Sequence, residues 1–420
     1  MGQFKAVSRS PEEREKYLNE KLRYIIKHAY ENAPAAKKKM DAVGVKPSDI
    51  RTTKDIEKLP VTTKDELRDL QKENPIFGGF VAVPEENLKT MFISPGPLYD
   101  AGNVDYRGQT IAIALSRFNV GKGDRVVNTF SYHMMPLGHW FHQAVLLMGA
   151  TIIPTGTGGS EAQARTMHEL GVTGYIGTAS FLDTILKRAE GQGFDIRRDL
   201  KLRWGLFIAE MFPLSLRRHF EEDYGIETMD SWGTADLGVI AYDCEHKAGM
   251  HFTDEGGFIE IVDPKTGKQL GPGEVGEVVV TNFDEVYPLI RFGTGDLSKY
   301  ADEPCACGRF TPRLQGMLGR VGEAIKIRGT FVHPKQVGEV CAKFPVVTKY
   351  QLVLDRAGQK DVVTLQIETK EEVADKEKLF QDILKCFPDV CTVKANSVKI
   401  MPLGTIPEER KIILDQRVWD

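Results

Sequence analysis

The chain has 420 residues and a mass of 47.0 kDa, enough for two or three domains of ordinary size. Hydrophobic residues make up 41% and charged residues 27%, which excludes a disordered polymer. Lys plus Arg is 55 and Asp plus Glu is 59, a net charge of −4 that argues against a nucleic-acid coat or a polybasic membrane binder.

The first residues, MGQFKAVSRSPEEREKY, turn charged too early for a secretory leader, and Ala6 stands where a myristoylated Gly2 needs Ser or Thr. Leu18, Leu22, Ile25 and Ala29 recur at helical spacing and predict one charged helix over 12–40. Thr63 is placed to cap a helix through Leu67 and Leu70. From 104 to 231 predicted helices alternate with strands at 125–130, 150–154, 173–178, 204–209 and 227–231, the signature of right-handed crossovers in a parallel sheet. The helices between them are expected at 137–148, 160–170, 181–190 and 214–223. Residues 257–299 read as antiparallel β, with 287–291 as a buried strand. Beyond Gly319–Arg320, strands at 349–355, 362–368 and 393–402 and a helix at 371–387 form a compact α+β unit. The expected fold class is therefore α/β: a large N-terminal α/β domain (1–318) with parallel sheet plus a β region, and a small C-terminal α+β domain (319–420). No apolar run approaches the roughly 18–20 residues of a membrane span. Six cysteines are too few for a disulfide scaffold, so the expectation is a cytoplasmic protein with reduced thiols and no membrane or nucleic-acid partner.

Several segments carry chemistry. LPVTTKDELRD, SWGTADLG, YPLIRFGTGDL, CACGR, LGRVGEAIKIRGTFVHPKQV and GTIPEERK occur in this order. Together they resemble the phenylacetate–CoA ligase branch of the adenylate-forming (acyl-CoA synthetase) superfamily, over roughly residues 12 to 417. The resemblance implies activation of a carboxylic acid, aromatic by analogy, with ATP and Mg²⁺ to an acyl-adenylate. Transfer to coenzyme A would follow, with the small domain a mobile lid. Two alternatives stay open: adenylylation without CoA transfer, and a non-catalytic nucleotide-binding relative. A homodimer is possible by the same analogy.

The site residues implied are these. Asp296 of GTGDL would accept hydrogen bonds from both ribose hydroxyls, as a carboxylate can. Asp230, Ser231, Trp232 and Gly233 would flank the adenine, Thr234 would lie near phosphate, and Asp236 would take the magnesium-binding slot with a shorter side chain than the family's Glu. Ala209 and Glu210 would line the adenine. In the phosphate loop, ISPGPLYDAGN, only Ser94 and Gly96 match the family pattern. Its threonines and lysine are missing, and Pro95 and Pro97 each remove an N–H donor. Arg320 would pair with nucleotide at the hinge, where Gly322 replaces the family's Asp. Lys326 and Gly329 would face the site during thioester formation, and Lys411 would stabilise charge as the adenylate forms. Tyr132, His133 and Trp140 are the acid-side candidates in FSYHMMPLGHWFHQ; a helix simply burying Met and Phe explains that segment equally well. His139 and His142 have the spacing of a metal pair but no accompanying carboxylate. Cys244, His251, Cys305 and Cys307 make a ligand set suited to structural Zn²⁺, with His246 competing for His251's place. Reduced thiols and histidines with separate jobs are the plainer alternative.

Overall fold

The computed structural model describes residues 4, 7–94, 98–321, 325–328, 330–332, 334–358, 360–370, 373, 375–408 and 410–418. The chain divides into two compact units, Met1–Gly319 and Arg320–Asp420.

Helix α1 (Pro11–Asn32) starts at a reciprocal cap: the Ser10 hydroxyl accepts from the Glu13 amide, and Glu13 accepts from the Ser10 amide. It buries Leu18, Leu22, Ile25, Ile26 and Ala29. The single helix expected over 12–40 is two helices, because α2 (Pro34–Ala42) begins anew at Pro34. That proline has no N–H for the ladder, and it disfavours helical backbone at Ala33, which is extended at ψ 106°. Helix α3 (Lys64–Glu73) is capped by the Thr63 hydroxyl. Strands β1 (Thr90–Ser94) and β2 (Leu98–Gly102) pair as a hairpin.

The alternating segment builds the larger sheet. In chain order it comprises α4 (Val104–Leu115), β3 (Arg125–Asn128), α5 (Pro136–Leu147), β4 (Thr151–Ile153), α6 (Ser160–Glu169), β5 (Gly174–Gly177), α7 (Ala179–Gly191), β6 (Trp204–Phe207) and β7 (Glu227–Thr234). Successive residues face opposite layers: Val126, Ile176 and Leu206 join α4 and α5 in one core, while Val127, Tyr175 and Phe207 join α6 and α7 in the other. Both faces are covered, so these strands are apolar throughout instead of alternating. The parallel strands run β7-β6-β5-β3-β4, and β8 (Gly238–Asp243), β9 (Met250–Phe252) and β13 (Arg313–Leu314) extend the sheet antiparallel beyond β7. Between β6 and β7, the helix expected over 214–223 is α-helical only over Leu214–Arg218; His219–Asp223 form a π-helical turn.

Two expectations shift here. Strand β7 does not end at 231 but runs to Thr234, because it changes partners from β6 (through Asp230) to β8 (from Ser231). Trp232, Gly233 and Thr234 are therefore strand as well. Residues 287–291 are buried as expected but are not a strand: the Asn282 side chain and backbone fold them into a loop that enters β12 (Phe292–Ser298). Antiparallel β10 (Gly257–Val262), β11 (Gly276–Asn282) and β12 form the second sheet, as the texture of 257–299 predicts. Its inner face shares a core with Trp232, Leu237 and Phe252.

The second unit pairs Val347–Ala357 with Lys360–Thr369, flanked in parallel by Ile413–Asp415 and Ser397–Ile400. Helices Pro334–Ala342 and Lys376–Cys391 contribute Val337, Val340, Ile383 and Phe387 to its own core. The second helix starts at Lys376, capped by the Asp375 side chain, later than the expected 371; residues 371, 372 and 374 lie outside the described set. Cys341 and Cys391 are buried in this core.

Candidate functional site

The carboxyl ends of β6 and β7 and the bend in β12 carry the residues expected to hold nucleotide. Gly295 adopts φ +75°, which turns β12 so that Asp296 is only partly buried. The indole N–H of Trp232 donates to Asp296 Oδ2 at 3.2 Å. Trp232 itself is 7% exposed and belongs to the core. The ring packs inside, and its polar edge faces Asp296. Ser231 is buried as well, its hydroxyl donating to the Phe207 carbonyl and tying β7 to β6 where β7 changes partner. A Cβ on Gly233 would lie 2.0 Å from the Gly238 carbonyl oxygen, so only glycine fits this bulge. Ala209 is exposed and left-handed at φ +79°. Exposed Glu210 accepts from the Ser180 amide (2.7 Å) and hydroxyl (2.8 Å). Its carboxylate therefore sits on the N-terminal turn of α7, where the helix dipole favours it. The sequence expects Glu210 beside adenine and does not anticipate this bond. Asp230 is half-buried. Burial raises its carboxyl to about 8, with the Asp243 carboxylate reinforcing the shift and Arg217 opposing it.

The tip of the β7–β8 hairpin presents Thr234 and Asp236. The Thr234 hydroxyl is buried with no hydrogen-bond partner. Asp236 is 4% exposed, and its Oδ2 lies 3.0 Å from Lys64 Nζ. Lys64 is the residue that sequence reasoning missed. It opens α3, two residues after Thr62, whose backbone bridges to Arg291 and Gly293 around the start of β12. Its ammonium also lies 6.0 Å from the centre of the Phe292 ring. The signal was present in TTKDE, but nothing local to that segment points to Asp236. Arg107 of α4, 2% exposed, donates to the backbone carbonyls of Asp236 and Leu237 and lies 3.4 Å from Asp284. Asp100 on β2 completes this buried cluster. Burial pushes its carboxyl well above the carboxylate range, helped by Asp236 and Asp284 and opposed by Arg107. Ser94 is buried at the end of β1, paired with Leu98, and Gly96 lies outside the described residues.

A cavity of about 1050 Å³ opens where the sheet reverses direction. The chain runs from β3 to the edge strand β4 and then returns to β5 on the other side of β3. In an open α/β sheet, the crevice outside the carboxyl ends of the strands at such a switch point is where ligands bind. The loop after β3 contributes Tyr132 and His133, the loop after β4 contributes Thr155–Gly158, and α5 contributes His139 and His142. Trp140, the third acid-side candidate, is 1% exposed, packs in the core beside Phe92 and does not line this cavity. On α5, positions 139, 142 and 143 face the cavity while 140, 141 and 144 face the sheet, as a 3.6-residue period requires. Burial raises the Tyr132 phenol to about 12 and lowers His142.

At the far edge of the same sheet, Cys244, His251, Cys305 and Cys307 converge, their ligand atoms all within 4.8 Å of one another. Cys244 Sγ to Cys305 Sγ is 3.5 Å and Cys307 Sγ to His251 Nε2 is 3.3 Å. A tetrahedral zinc with bonds of about 2.3 Å to sulfur sets sulfurs roughly 3.8 Å apart, so the set fits this ion. His251 Nδ1 is held by the Thr311 hydroxyl (2.9 Å), which leaves Nε2 aimed at the thiols. The histidine that converges on the three thiols is His251, which lies on β9 opposite Arg313 of β13, beside the 305–307 turn.

In the second unit, Lys411 is exposed just before Ile413–Asp415, and its carbonyl accepts from Gln351. Arg320 begins the unit. Lys326 lies on a short strand (Ile325–Ile327), and Gly322 and Gly329 lie outside the described residues. Among the described residues, no helix is long and apolar enough to cross a membrane.

Comparison with known proteins follows the same outline. A family model of AMP-binding enzymes matches residues 102–283, and one of the AMP-binding enzyme C-terminal domain matches 329–420. The chain is 31% identical over 365 residues to a phenylacetate-coenzyme A ligase of Aromatoleum evansii, covering 84% of this chain and 81% of the relative. It is 30% identical over 374 residues to the phenylacetate-coenzyme A ligase of Escherichia coli, covering 86% and 84%. Among solved structures, a 2-hydroxyisobutyryl-CoA ligase in complex with 2-HIB-AMP and CoA superposes with a TM-score of 0.84 at 23% identity, covering 98% of this chain and 91% of that one.

Proposed function

The chain belongs to the AMP-binding, adenylate-forming enzymes, in the branch of the phenylacetate–CoA ligases, and from that premise we propose how its residues divide the work. It is an acid–thiol ligase. A carboxylate attacks the α-phosphorus of ATP, forming an acyl-adenylate and releasing pyrophosphate. The coenzyme A thiol then takes the acyl group and releases AMP and a proton. The acid is an aromatic one of the phenylacetate kind, a reading supported by the curated relatives and by the aromatic and imidazole walls around Tyr132.

The observation that supports this reading is the Trp232–Asp296 hydrogen bond, which holds a partly exposed carboxylate beside the end of β7. Asp296 accepts from the ribose hydroxyls. Ala209, Glu210, Asp230, Ser231 and Gly233 flank the base, while Ser94 and Gly96 border the phosphates. Thr234 and Asp236 offer two oxygens at the hairpin tip, and the unpartnered Thr234 hydroxyl fits a phosphate or a metal-bound group there. Thr234 and Asp236 are the residues that would hold Mg²⁺, which would supply neutralisation of phosphate charge. Lys64 adds positive charge beside Asp236, which the proline-bearing 93–103 hairpin cannot supply from its own sequence. In the small domain Lys411 serves adenylation, Lys326 and Gly329 serve thioester formation, and Arg320 marks the hinge between the two functions. Cys244, His251, Cys305 and Cys307 would hold a structural zinc ion, their ligand atoms lying within 4.8 Å of one another.

Pyrophosphate exchange into ATP, measured with a panel of aryl and alkyl acids, tests the first half-reaction; AMP release with and without CoA tests the second. Asp296→Ala is expected to raise KM for ATP by roughly tenfold to a hundredfold, the loss of about 1.5–3 kcal/mol of charged hydrogen bonding. AMP release that does not depend on thiol would replace the ligase reading with adenylylation of another acceptor.

A further inference from the structure

The cavity at the switch point is large for a phenylacetate-sized acid, since about 300–1,000 Å³ suffices for drug-sized ligands. Its wall also carries an ordered hydrogen-bond relay that an apolar ring does not need. Asn128 is fully buried, and its amide nitrogen donates to the Gly138 carbonyl (2.9 Å) and to the Tyr132 hydroxyl oxygen (2.9 Å). Its side-chain oxygen accepts from the Phe130 amide, which fixes the amide's orientation. The Tyr132 hydroxyl lies 3.3 Å from His142 Nδ1, and because Asn128 leaves its O–H unused we assign it as the donor. A neutral His142 then carries its proton on Nε2. His139 Nε2 lies 3.0 Å from the Tyr132 carbonyl, which can only accept, so a neutral His139 keeps its lone pair on Nδ1. Both imidazoles stand edge-on to the Tyr132 ring, 5.3 and 5.9 Å between centres. The relay therefore sets one fixed donor, His142 Nε2–H, and one fixed acceptor, His139 Nδ1, in residues that line the cavity.

We propose that Tyr132, His139 and His142 read a neutral hydrogen-bonding group, a secondary amide or hydroxyl, on an elongated ligand that fills this cavity. A secondary amide carries both complementary groups, a carbonyl that accepts from an N–H such as His142 Nε2–H and an N–H that donates to a lone pair such as that of His139 Nδ1. That group belongs either to a substituent of the acid or to the amide-bearing arm of the thiol. The proposal rests on the ligase reading for the identity of these two ligands, but not for the recognition itself.

The test uses the full-length wild type, His142→Leu, which removes the donor, and His142→Gln, whose amide N–H restores a donor. In pyrophosphate exchange without thiol, kcat/KM is measured for phenylacetate, 4-hydroxyphenylacetate and 4-acetamidophenylacetate. In thioester formation at saturating acid, KM is measured for CoA and for mercaptoethanol, which has no amide. The expected result is a loss of about tenfold in one comparison, for the polar acids against phenylacetate or for CoA against mercaptoethanol, with recovery in His142→Gln. The comparison that moves identifies the source. Calorimetric titration of the same proteins with 4-acetamidophenylacetate and with S-methyl-CoA reads the cavity without turnover, so it remains decisive if no acid supports exchange. Equal ratios and equal affinities in wild type and both variants would overturn the proposal. Melting curves of the variants exclude a loss caused by unfolding.

Discussion

Lys64 and Asp236 meet at 3.0 Å although distant parts of the chain supply them, and Asp236 is almost fully enclosed. An ammonium placed in a protected site acts on developing phosphate charge far more strongly than one in water. Lys64→Met is expected to slow pyrophosphate exchange about a hundredfold at saturating ATP; a variant that melts earlier but exchanges at the wild-type rate would reduce the pair to a structural bridge. Asp230 shows how burial couples a site residue to stability. Its carboxyl is raised to about 8, whereas an unfolded Asp titrates near 4. The stability it contributes is fully present below about pH 4 and is lost as pH rises through about 8. Buried Asp243, raised by burial against the opposing Arg217 and Arg117, acts in the same direction. Asp230→Asn is expected to flatten the melting temperature between pH 5 and 8.5, whereas the wild type declines; parallel profiles would refute it. Asp296, Thr234 and Asp236 are named from motifs alone, and their roles remain part of the proposal. The duties of Trp232 and Glu210 were not legible in the motifs, because burial and a helix N-terminus decide them.

At the scale of elements, the metal-ligand set ties the turn after β8, strand β9 and the 305–307 turn into one edge. A zinc ion held there would join these loops beyond the bonds Arg313 makes to the Ala248 and Glu303 carbonyls, and its binding would appear directly as folding stability. Cys305→Ser is expected to lower bound zinc from one equivalent to a small fraction, reduce the melting temperature by several degrees and open the 299–313 segment to limited proteolysis. Metal analysis and digestion of the same sample check this; a variant with unchanged melting and digestion would assign the four residues separate jobs. Strand order in this edge was not readable from sequence, since β13 has only two residues and pairs with β9 far upstream. The Ala33–Pro34 break was readable in principle from proline's missing donor, but the continuous apolar spacing outweighed it.

For the whole molecule, each of the two units has its own core: residues such as Ile111, Trp140 and Leu206 in the first, and Leu352, Leu365 and Phe387 in the second. A unit with a contiguous apolar core is able to fold by itself. Residues 1–319 expressed alone are expected to fold cooperatively and bind ATP while forming thioester at least a hundredfold more slowly, because Lys411 and Lys326 are absent. Calorimetry and CoA-thioester assays on the fragment test this, and a fragment with full turnover would remove the small domain from the chemistry.

The sequence by itself determined the alternation of helix and strand, the passage from parallel to antiparallel sheet, the division near residue 319 and the motifs of an adenylate-forming enzyme. Each of these is written in local periodicity or in short contiguous segments. Only the tertiary structure decided that Trp232 supports Asp296 from the core, that Glu210 caps α7, that Trp140 is sealed away from the cavity and that Lys64 joins Asp236. Those outcomes depend on which side chains the strand order brings together, and a contact between segments separated by tens or hundreds of residues leaves no period in the chain.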